Sequence, residues 1–434
     1  MLKNRSNKIH QLFLLLSILL ACFPLLTFGM RSVLTIVWIL VGITLYITKR
    51  KQLIDKREIL IFIGPFLLIS FSLLYSTNLE YGFALLVKML SFVAFPIVFF
   101  LNRDFFIKKN IHQICNVFSI SVLILVLFQL FKVVYDYNFI SATLSLQEIK
   151  ANGFSSMNEI SLEKIQQIKL RRFRNYIIAI SNTHSTYQGL WLCFGIFFIV
   201  LKIREATKNI ERIIYVFITL IFIFWMYLIS ARMPLIALVI SSIITFFVFS
   251  KYSLKKKLFI GLIPFLALTM LLVFKNPFST RVKEYYQTGF SVLEKTSSAN
   301  QFNSSNVRNG IYYCDIKLMQ KSILIGVGLG DVQDELNVCY RDNMNAKIYQ
   351  WHDFNSHNQY AFFWIASGFL GFLSFLILIA SNFLRSISKR NKTLFYITCL
   401  TTIVFLSENI LERSDGVLFY SFFTALFYFN KVKK

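Results

Sequence analysis

Residues 114–135 read ICNVFSISVLILVLFQLFKVVY, an apolar block whose one charged side chain, Lys132, lies near its end. A helix of this length crosses a hydrocarbon core about 30 Å thick. Similar blocks recur along the 434-residue chain, which is 56% hydrophobic and 15% charged, whereas soluble proteins are about 25% charged. The sequence therefore predicts an all-α, polytopic membrane protein and excludes the soluble, fibrous and disordered classes.

Hydropathy predicts about twelve transmembrane helices in a single polytopic membrane domain over residues 1–434. The predicted spans are residues 11–28, 32–48, 59–75, 82–101, 114–135, 178–201, 213–229, 233–250, 258–274, 357–380, 394–411 and 416–430.

The connections between these spans alternate in basic content. Those on one side hold 26 Lys and Arg residues, whereas the four short connections on the other side hold only Arg31, Arg232 and Arg413. Basic connections stay in the cytoplasm, so both termini are predicted to be cytoplasmic. The formal charge of +25 is therefore a topology signal, and no basic stripe with exposed aromatics indicates a nucleic-acid partner.

Two connections on the outer face are long. One covers residues 136–177, and the larger covers residues 275–356, between the ninth and tenth predicted helices. Connections of this length are usually functional, so the chemistry is expected on the outer side. Within the first, residues 157–175 predict an amphipathic helix at the outer membrane surface, opened by the capping-box pattern Ser156-x-x-Glu159. Its arginines, which include Arg174, either have a role in a site or contact lipid head groups.

The cysteines give no metal-binding spacing, so neither a metal nor another cofactor is predicted. Cys314 and Cys339 share the larger outer connection, where the oxidising compartment permits a disulfide. The sequence leaves open whether they pair. The remaining cysteines are expected to pack as small apolar side chains.

The strongest catalytic candidate is His357, in the stretch WHDFNSHNQY at residues 351–360, where the larger connection enters the tenth span. Asn355 or Ser356 is expected to cap that helix, which places His357 in its first turn. The positive helix terminus disfavours a protonated imidazole, and a neutral histidine suits a general base. The alternative is a polar cap without catalytic role. His352 is a weaker candidate.

Two arginines on the outer face are candidate anion ligands. Arg232 lies in the turn Ser230-Ala231-Arg232-Met233-Pro234, and its planar fork matches phosphate oxygens. The alternative is an arginine that snorkels to the interface. Arg308 opens a predicted short helix over residues 307–320, with Asp315 on the same face. A structural ion pair between Arg308 and Asp315 is an equally good interpretation.

Lys88 and His184 complete the candidate binding residues. Lys88 lies within the fourth span, where a charge indicates function unless the lysine snorkels to the interface. His184 is on a polar face at the outer start of the sixth span. Near the end of the chain, an ion pair with Arg413 is a sufficient explanation for Glu408 and Glu412.

Residues 326–331, Gly-Val-Gly-Leu-Gly-Asp, have the spacing of a dinucleotide fingerprint. They lack the strand–helix–strand context that such a site needs. A glycine turn with close backbone packing is the favoured prediction.

These landmarks together resemble the O-antigen ligase and polymerase superfamily of bacterial envelope glycan transferases. The resemblance rests on the S-x-R turn ending at Arg232, the helix of Arg308, the glycine segment 326–331, and His357-Asn358-Gln359-Tyr360. The C-terminal stretch SENILERSDG at residues 407–416 also resembles one branch of this superfamily.

The resemblance implies a metal-independent glycosyltransferase in the bacterial cytoplasmic (inner) membrane, with its active site and both long loops on the periplasmic face. The implied donor is a glycan on undecaprenyl diphosphate, and membrane lipid surrounds the protein. His357 would act as the base, while Arg232 and Arg308 would bind the diphosphate, with weaker support for His184 and Lys88. The favoured acceptor is lipid A-core, as in a ligase. A polymerase, a protein hydroxyl acceptor, a lipid-linked glycan transporter or flippase, and a scaffold are the alternatives.

Overall fold

A computed structural model describes residues 2–48, 57–151, 154–273, 277–289, 291–292, 303–344 and 346–430. In this part of the chain the regular structure is helical, as the apolar blocks predict. The α-helices, numbered in chain order, are α1 Leu2–Ala21, α2 Phe28–Thr48, α3 Arg57–Phe71, α4 Leu79–Met89, α5 Ser91–Leu101, α6 Lys108–Tyr135, α7 Tyr137–Ser141, α8 Leu146–Ala151, α9 Leu162–Ser181, α10 Ser185–Glu205, α11 Asn209–Leu228, α12 Arg232–Phe249, α13 Leu254–Val273, α14 Pro277–Thr288, α15 Ser304–Lys321, α16 Val332–Cys339, α17 Ile348–Trp351, α18 Gln359–Ser388, α19 Lys392–Val404 and α20 Ser414–Phe429.

Eight helical stretches among the described residues are long and apolar enough to cross a membrane. They are α2, α3 with the turn that follows it, α4 with α5, α6, α10, α11, α12 and α18. They coincide with eight of the predicted spans and support a multi-pass membrane protein. The full count of about twelve remains a prediction, because α13 is not among these eight stretches, α19 and the apolar part of α1 are shorter, and α20 has 16 residues. Residues 1 and 431–434 lie outside the described part, so the location of the termini also remains a prediction.

Helix α20 forms the centre of the bundle. Every residue from Gly416 to Phe429 is buried, as expected for a helix that is apolar on all sides. Phe422 packs against α5, with its ring centroid 5.3 Å from that of Phe99. Phe423 faces the other way, 4.4 Å from the ring of Phe194 in α10. The short α20 is therefore held by aromatic contacts with neighbouring helices.

The predicted start of the sixth span, at residue 178, is wrong. Helix α9 continues to Ser181, and α10 begins only at Ser185, after Asn182 adopts a left-handed backbone with φ of +48°. The polar residues 181–184 interrupt the helix, because their side chains form hydrogen bonds with the backbone more favourably at helix ends than in a helix interior. The amphipathic helix is thus displaced to 162–181, and Ser161 caps it rather than Ser156.

Helices α14 to α17 form most of the described part of the larger outer connection. Cys314 and Cys339 are disulfide-bonded, which settles the pairing that the sequence left open. The bond joins α15 to the end of α16 and so holds these two helices together.

The glycine segment 326–331 attaches this region to the membrane helices. The backbone N–H of Val327 donates to the carbonyl of Ile365 at 2.7 Å, next to the non-helical residues Ser367 and Gly368 inside α18. Gly326 has φ of +75°, and a Cβ on it would lie 2.5 Å from the same Ile365 oxygen. The prediction of a closely packed glycine turn is confirmed.

Asp331 completes this attachment on the opposite side. Its carboxylate accepts hydrogen bonds from the backbone N–H groups of Thr77 and Asn78, both at 2.8 Å. Because these groups precede α4, the connection is held against both α18 and α4. The outer helices are thereby fixed over one end of the bundle.

Candidate active site

A cavity of about 1660 Å³ lies between the outer helices and this end of the bundle. All five site residues predicted from the sequence line it, although they come from five separate segments of the chain. They are Lys88, His184, Arg232, Arg308 and His357.

His357 lies immediately before α18 and not within its first turn. Asn358 is the N-cap, because its side-chain oxygen accepts from the backbone N–H groups of Tyr360 and Ala361. The prediction that Asn355 or Ser356 caps the helix is therefore wrong. His357 has a left-handed backbone with φ of +45°, which is uncommon for a residue other than glycine.

The backbone of His357 is held by its neighbours. Its N–H donates to the side-chain oxygen of Asn355 at 3.2 Å. Ser356 is hydrogen-bonded to Asn409, and the Gln359 side chain accepts from the N–H of Leu411 at 2.7 Å. The segment between α19 and α20, residues 405–413, is thus attached to the segment that carries His357.

Glu408, in this attached segment, faces two of the predicted residues. One carboxylate oxygen lies 3.9 Å from Nδ1 of His357 and the other lies 3.9 Å from Nη2 of Arg308. Burial alone raises the pKa of Glu408, but the side chain of His357 and the charges of Arg308 and His184 hold that pKa below its ordinary value. Glu408 is therefore an anion between a histidine and an arginine.

Glu412 is buried in the same segment, but its pKa is shifted in the opposite direction. Its two oxygens accept hydrogen bonds from Asn355 at 2.6 Å and Asn409 at 2.9 Å. Burial raises the pKa of Glu412 to about 7 despite these bonds. Among the described residues neither glutamate lies within ion-pair distance of Arg413, so the predicted ion pair is not found; both carboxylates belong to the cavity.

Arg308 and Asp315 do not pair either. Arg308 faces Glu408, whereas both carboxylate oxygens of Asp315 are buried with no hydrogen-bond partner in the described structure. The ion-pair interpretation of these two residues is therefore wrong. Both side chains line the cavity.

Arg232 is the first residue of α12 and follows Ser230, whose φ is +52°. Pro234 lies in the first turn of α12, as predicted. A Cβ on Gly189 of α10 would lie 2.7 Å from the Pro234 ring, so the absence of that atom lets α10 and the start of α12 approach closely. This contact fixes where the Arg232 side chain enters the cavity. Lys88 lines the same cavity from the last turn of α4.

His184 caps α10, and its Nδ1 accepts from the N–H of Thr186 at 3.4 Å. The Thr186 hydroxyl lies 3.5 Å from the Glu408 carboxylate. Burial lowers the pKa of His184, which favours the neutral imidazole that a cap requires. Arg174 of α9 also lines the cavity and donates to the hydroxyl of Ser185 at 3.3 Å.

Comparison with known families identifies part of this arrangement. Residues 214–376 match the O-antigen ligase family. The match contains Arg232, Arg308 and His357, and it confirms the resemblance to the O-antigen ligase superfamily. It supports an O-antigen ligase or polymerase type of glycan handling in a bacterial membrane. No curated protein sequence matches the chain.

The segment that matches the O-antigen ligase domain does not contain the whole cavity. Lys88, His184 and Glu408 lie outside residues 214–376 and line the cavity with it. Elements before and after the domain therefore complete the site. In the part of the chain that the structure describes, no group of three or more His, Cys, Asp or Glu side chains is arranged to hold a metal ion.

Glu408, Glu412 and Arg174 line the cavity, although the sequence predicts an ion pair with Arg413 for the two glutamates and leaves the role of Arg174 open. Glu408 and Glu412 belong to the stretch 407–416, which carries part of the family resemblance. That resemblance is the one feature of the sequence that connects these two glutamates with the site. Arg174 was interpreted together with the other arginines of α9. Of these, Arg172 instead pairs with Glu148, with nitrogen and oxygen 2.6 Å apart, whereas Arg174 lines the cavity.

Proposed function

We propose that the protein transfers a glycan from undecaprenyl diphosphate to an acceptor hydroxyl at the periplasmic face of the bacterial inner membrane, with lipid A-core as the favoured acceptor. One observation carries this function: the five residues that the sequence predicts to bind the diphosphate or act as the base come from five separate segments and line a single cavity. The match of residues 214–376 to the O-antigen ligase family supports the same reaction type.

The cations of the cavity suit the leaving group. Arg232 and Arg308 bind the diphosphate, which gains negative charge as the sugar departs. Lys88 lines the same cavity and adds a third positive charge. Guanidinium groups bind phosphate oxygens through a planar fork, and fixed charges of this kind stabilise developing charge in a transition state. No metal ion or cofactor enters the proposed reaction.

His357 supplies the base. Its imidazole takes the proton of the acceptor hydroxyl while the acceptor oxygen bonds to the anomeric carbon and the bond from that carbon to the diphosphate oxygen breaks. The anionic Glu408, 3.9 Å away, stabilises the imidazolium that forms. Direct attack of this kind inverts the anomeric centre.

The size of the cavity suits a large substrate. Pockets for small molecules measure about 300–1,000 Å³, whereas this cavity measures about 1660 Å³. A diphosphate with its first sugars and an acceptor sugar need more space than a single small ligand. The volume therefore supports a transfer between two bulky glycolipids.

Surface glycolipids of a deletion strain, separated on a gel, test this function. The strain is complemented with the wild type, His357→Ala, or the matched control His352→Ala, whose exposed side chain is not part of the cavity lining. If the protein is a ligase, the deletion and His357→Ala remove all glycan-capped bands while polymer builds up on the carrier lipid.

Survival of bands with a single repeat, with loss of the longer ladder, indicates a polymerase instead. An unchanged ladder in the deletion strain, or full restoration by His357→Ala, contradicts the proposed function. Membrane levels of each variant are measured in the same samples, because equal levels exclude loss of folding as the cause.

A further inference from the structure

Asp315 is an exception among the buried polar groups of the outer helices. Its residue surface is 2% exposed, and neither carboxylate oxygen has a hydrogen-bond partner in the described structure. Buried polar groups are normally paired because an unpaired one keeps the full cost of its lost hydration. Since Asp315 lines the large cavity, a ligand in the cavity is the natural source of the missing partner.

Asp315 has an acidic neighbour, Glu412, and no cationic side chain among the described residues contributes to its pKa. Burial raises the pKa of the Asp315 carboxyl well above its ordinary value, and the nearby Glu412 carboxylate raises it further. A protonated carboxyl both donates and accepts one hydrogen bond, as a sugar hydroxyl does. Asn355, Gln333 and Tyr81 line the same cavity and offer the same two-way hydrogen bonding.

The position of Asp315 on α15 relates it to Arg308. Seven residues separate them, which is about two helical turns, so they share one face and lie about 10 Å apart along the axis. Arg308 is assigned to the diphosphate in the proposed function. A group about 10 Å further along the same face is at the right distance for one of the first sugars attached to that diphosphate.

We propose that Asp315 forms a sugar subsite of the cavity beside Glu412, in which the Asp315 carboxyl hydrogen-bonds hydroxyl groups of the glycan carried by the diphosphate. The subsite rests on the proposed function, because it assumes that a diphosphate-linked glycan occupies the cavity. A bound cation is the competing explanation for two adjacent carboxyl groups. It is less favoured because the described residues provide no group of three metal-ligating side chains.

Binding of two probes to the purified full-length protein tests the subsite. One is the lipid-linked glycan extracted from the deletion strain, and the other is undecaprenyl diphosphate without sugar. Asp315→Leu, which is close in size but cannot hydrogen-bond, is expected to weaken glycan binding about 3- to 10-fold, the effect of one lost hydrogen bond, and to leave undecaprenyl diphosphate binding unchanged. Asp315→Asn, which keeps a donor and an acceptor, is expected to bind both probes within about 2-fold of wild type.

Thermal stability separates this role from a structural one. Replacing an unpaired buried carboxyl by an apolar side chain is neutral or stabilising, so Asp315→Leu should keep or raise the Tm while it weakens glycan binding. If Asp315→Leu does not fold, as judged by the Cys314–Cys339 disulfide, Asp315→Ala replaces it. Asp342→Leu, at an exposed residue of the same region, is the matched control and should match the wild type in both assays.

Three results overturn the subsite: an equal loss for both probes, no loss for either, or a loss in Asp315→Asn as large as in Asp315→Leu. Weakening of glycan binding by EDTA in the wild type but not in Asp315→Asn also overturns it, because the carboxylate would then hold a cation. If the wild-type protein binds neither probe, the proposed function itself fails, and this outcome is distinct from the other four.

Discussion

Nδ1 of His357 lies 3.9 Å from the carboxylate of Glu408, although 50 residues of sequence and two helices, α18 and α19, separate them. The same carboxylate reaches Arg308 at 3.9 Å through its other oxygen. One buried anion therefore faces both the proposed base and a proposed diphosphate ligand. This relationship connects the two halves of the proposed chemistry.

Glu408→Gln tests that connection. Loss of the negative charge removes the stabilisation of the imidazolium that forms at His357, so kcat should fall about 10- to 100-fold, less than the about 100- to 10,000-fold contribution of a general base itself. The KM for the lipid-linked donor should stay unchanged or fall, because Arg308 loses a competing anion. Steady-state kinetics of the purified protein measure both constants. Glu335→Gln, at a residue paired with Lys321, is the control, and an unchanged kcat in Glu408→Gln would contradict the role.

Arg308→Lys tests whether a planar fork is needed at the diphosphate. Lysine keeps the charge but cannot bind two phosphate oxygens side by side, so transfer should fall about 10-fold, and about 100-fold in Arg308→Ala, as for loss of one stabilising donor. Arg341→Lys changes an exposed arginine of the same region, which pairs with Asp342, and should match the wild type. Equal transfer by Arg308→Lys and wild type would show that charge alone suffices or that Arg308 does not bind substrate.

Glu412 should make stability depend on pH. Its pKa is about 7 in the folded protein and about 4.3 in an unfolded chain, so between these values the folded state binds more protons. The contribution of Glu412 to stability is therefore present at low pH and is lost as the pH rises from about 4.3 to about 7. Thermal melts of wild type and Glu412→Gln should converge at low pH, with the variant gaining relative to the wild type as the pH rises. Parallel profiles would contradict a raised pKa.

Gly330→Ala tests the attachment of the outer helices. A Cβ on Gly330 would lie 2.1 Å from the carbonyl oxygen of Asn78, a backbone atom that cannot rotate away. The variant should lose about 1–3 kcal/mol of stability, as overpacked positions do. Gly64→Ala, in α3 with no atom within 4 Å of the added Cβ, is the control and should be neutral or stabilising because alanine favours helix. A wild-type Tm for Gly330→Ala would show that the glycine segment is not tightly packed.

The fold was more accessible from the sequence than the site. Apolar blocks such as residues 114–135 predict helix α6 closely, because the length of an apolar run is a local property. The polar residues 181–184 were included in a span because hydropathy averages over a window and does not register a single left-handed residue such as Asn182. The N-cap of α18 was predicted wrongly for a different reason. Asn355, Ser356 and Asn358 are equally good cap residues in the sequence, and only the tertiary contacts of Ser356 with Asn409 distinguish them.

The individual candidates were found because rare charges on the outer face are visible in the sequence, as with Arg232. Their partners were not, since the contact of Glu408 with His357 depends on how α18 and α19 pack. Sequence proximity instead suggested Arg413 as the partner of Glu408 and Asp315 as the partner of Arg308. Both of those local pairings are absent from the described contacts. Glu408 instead faces His357 and Arg308, which are distant in sequence, and Asp315 lines the cavity without a partner.

Transfer of glycan from the extracted lipid-linked donor to lipid A-core by purified wild type, His357→Ala and His352→Ala tests whether His357 is the base. The base role of His357 predicts that His357→Ala transfers at least about 100-fold more slowly than wild type, binds the donor normally, and keeps the wild-type Tm, while His352→Ala is unaffected. Transfer by His357→Ala at the wild-type rate would show that His357 is not the base of this reaction.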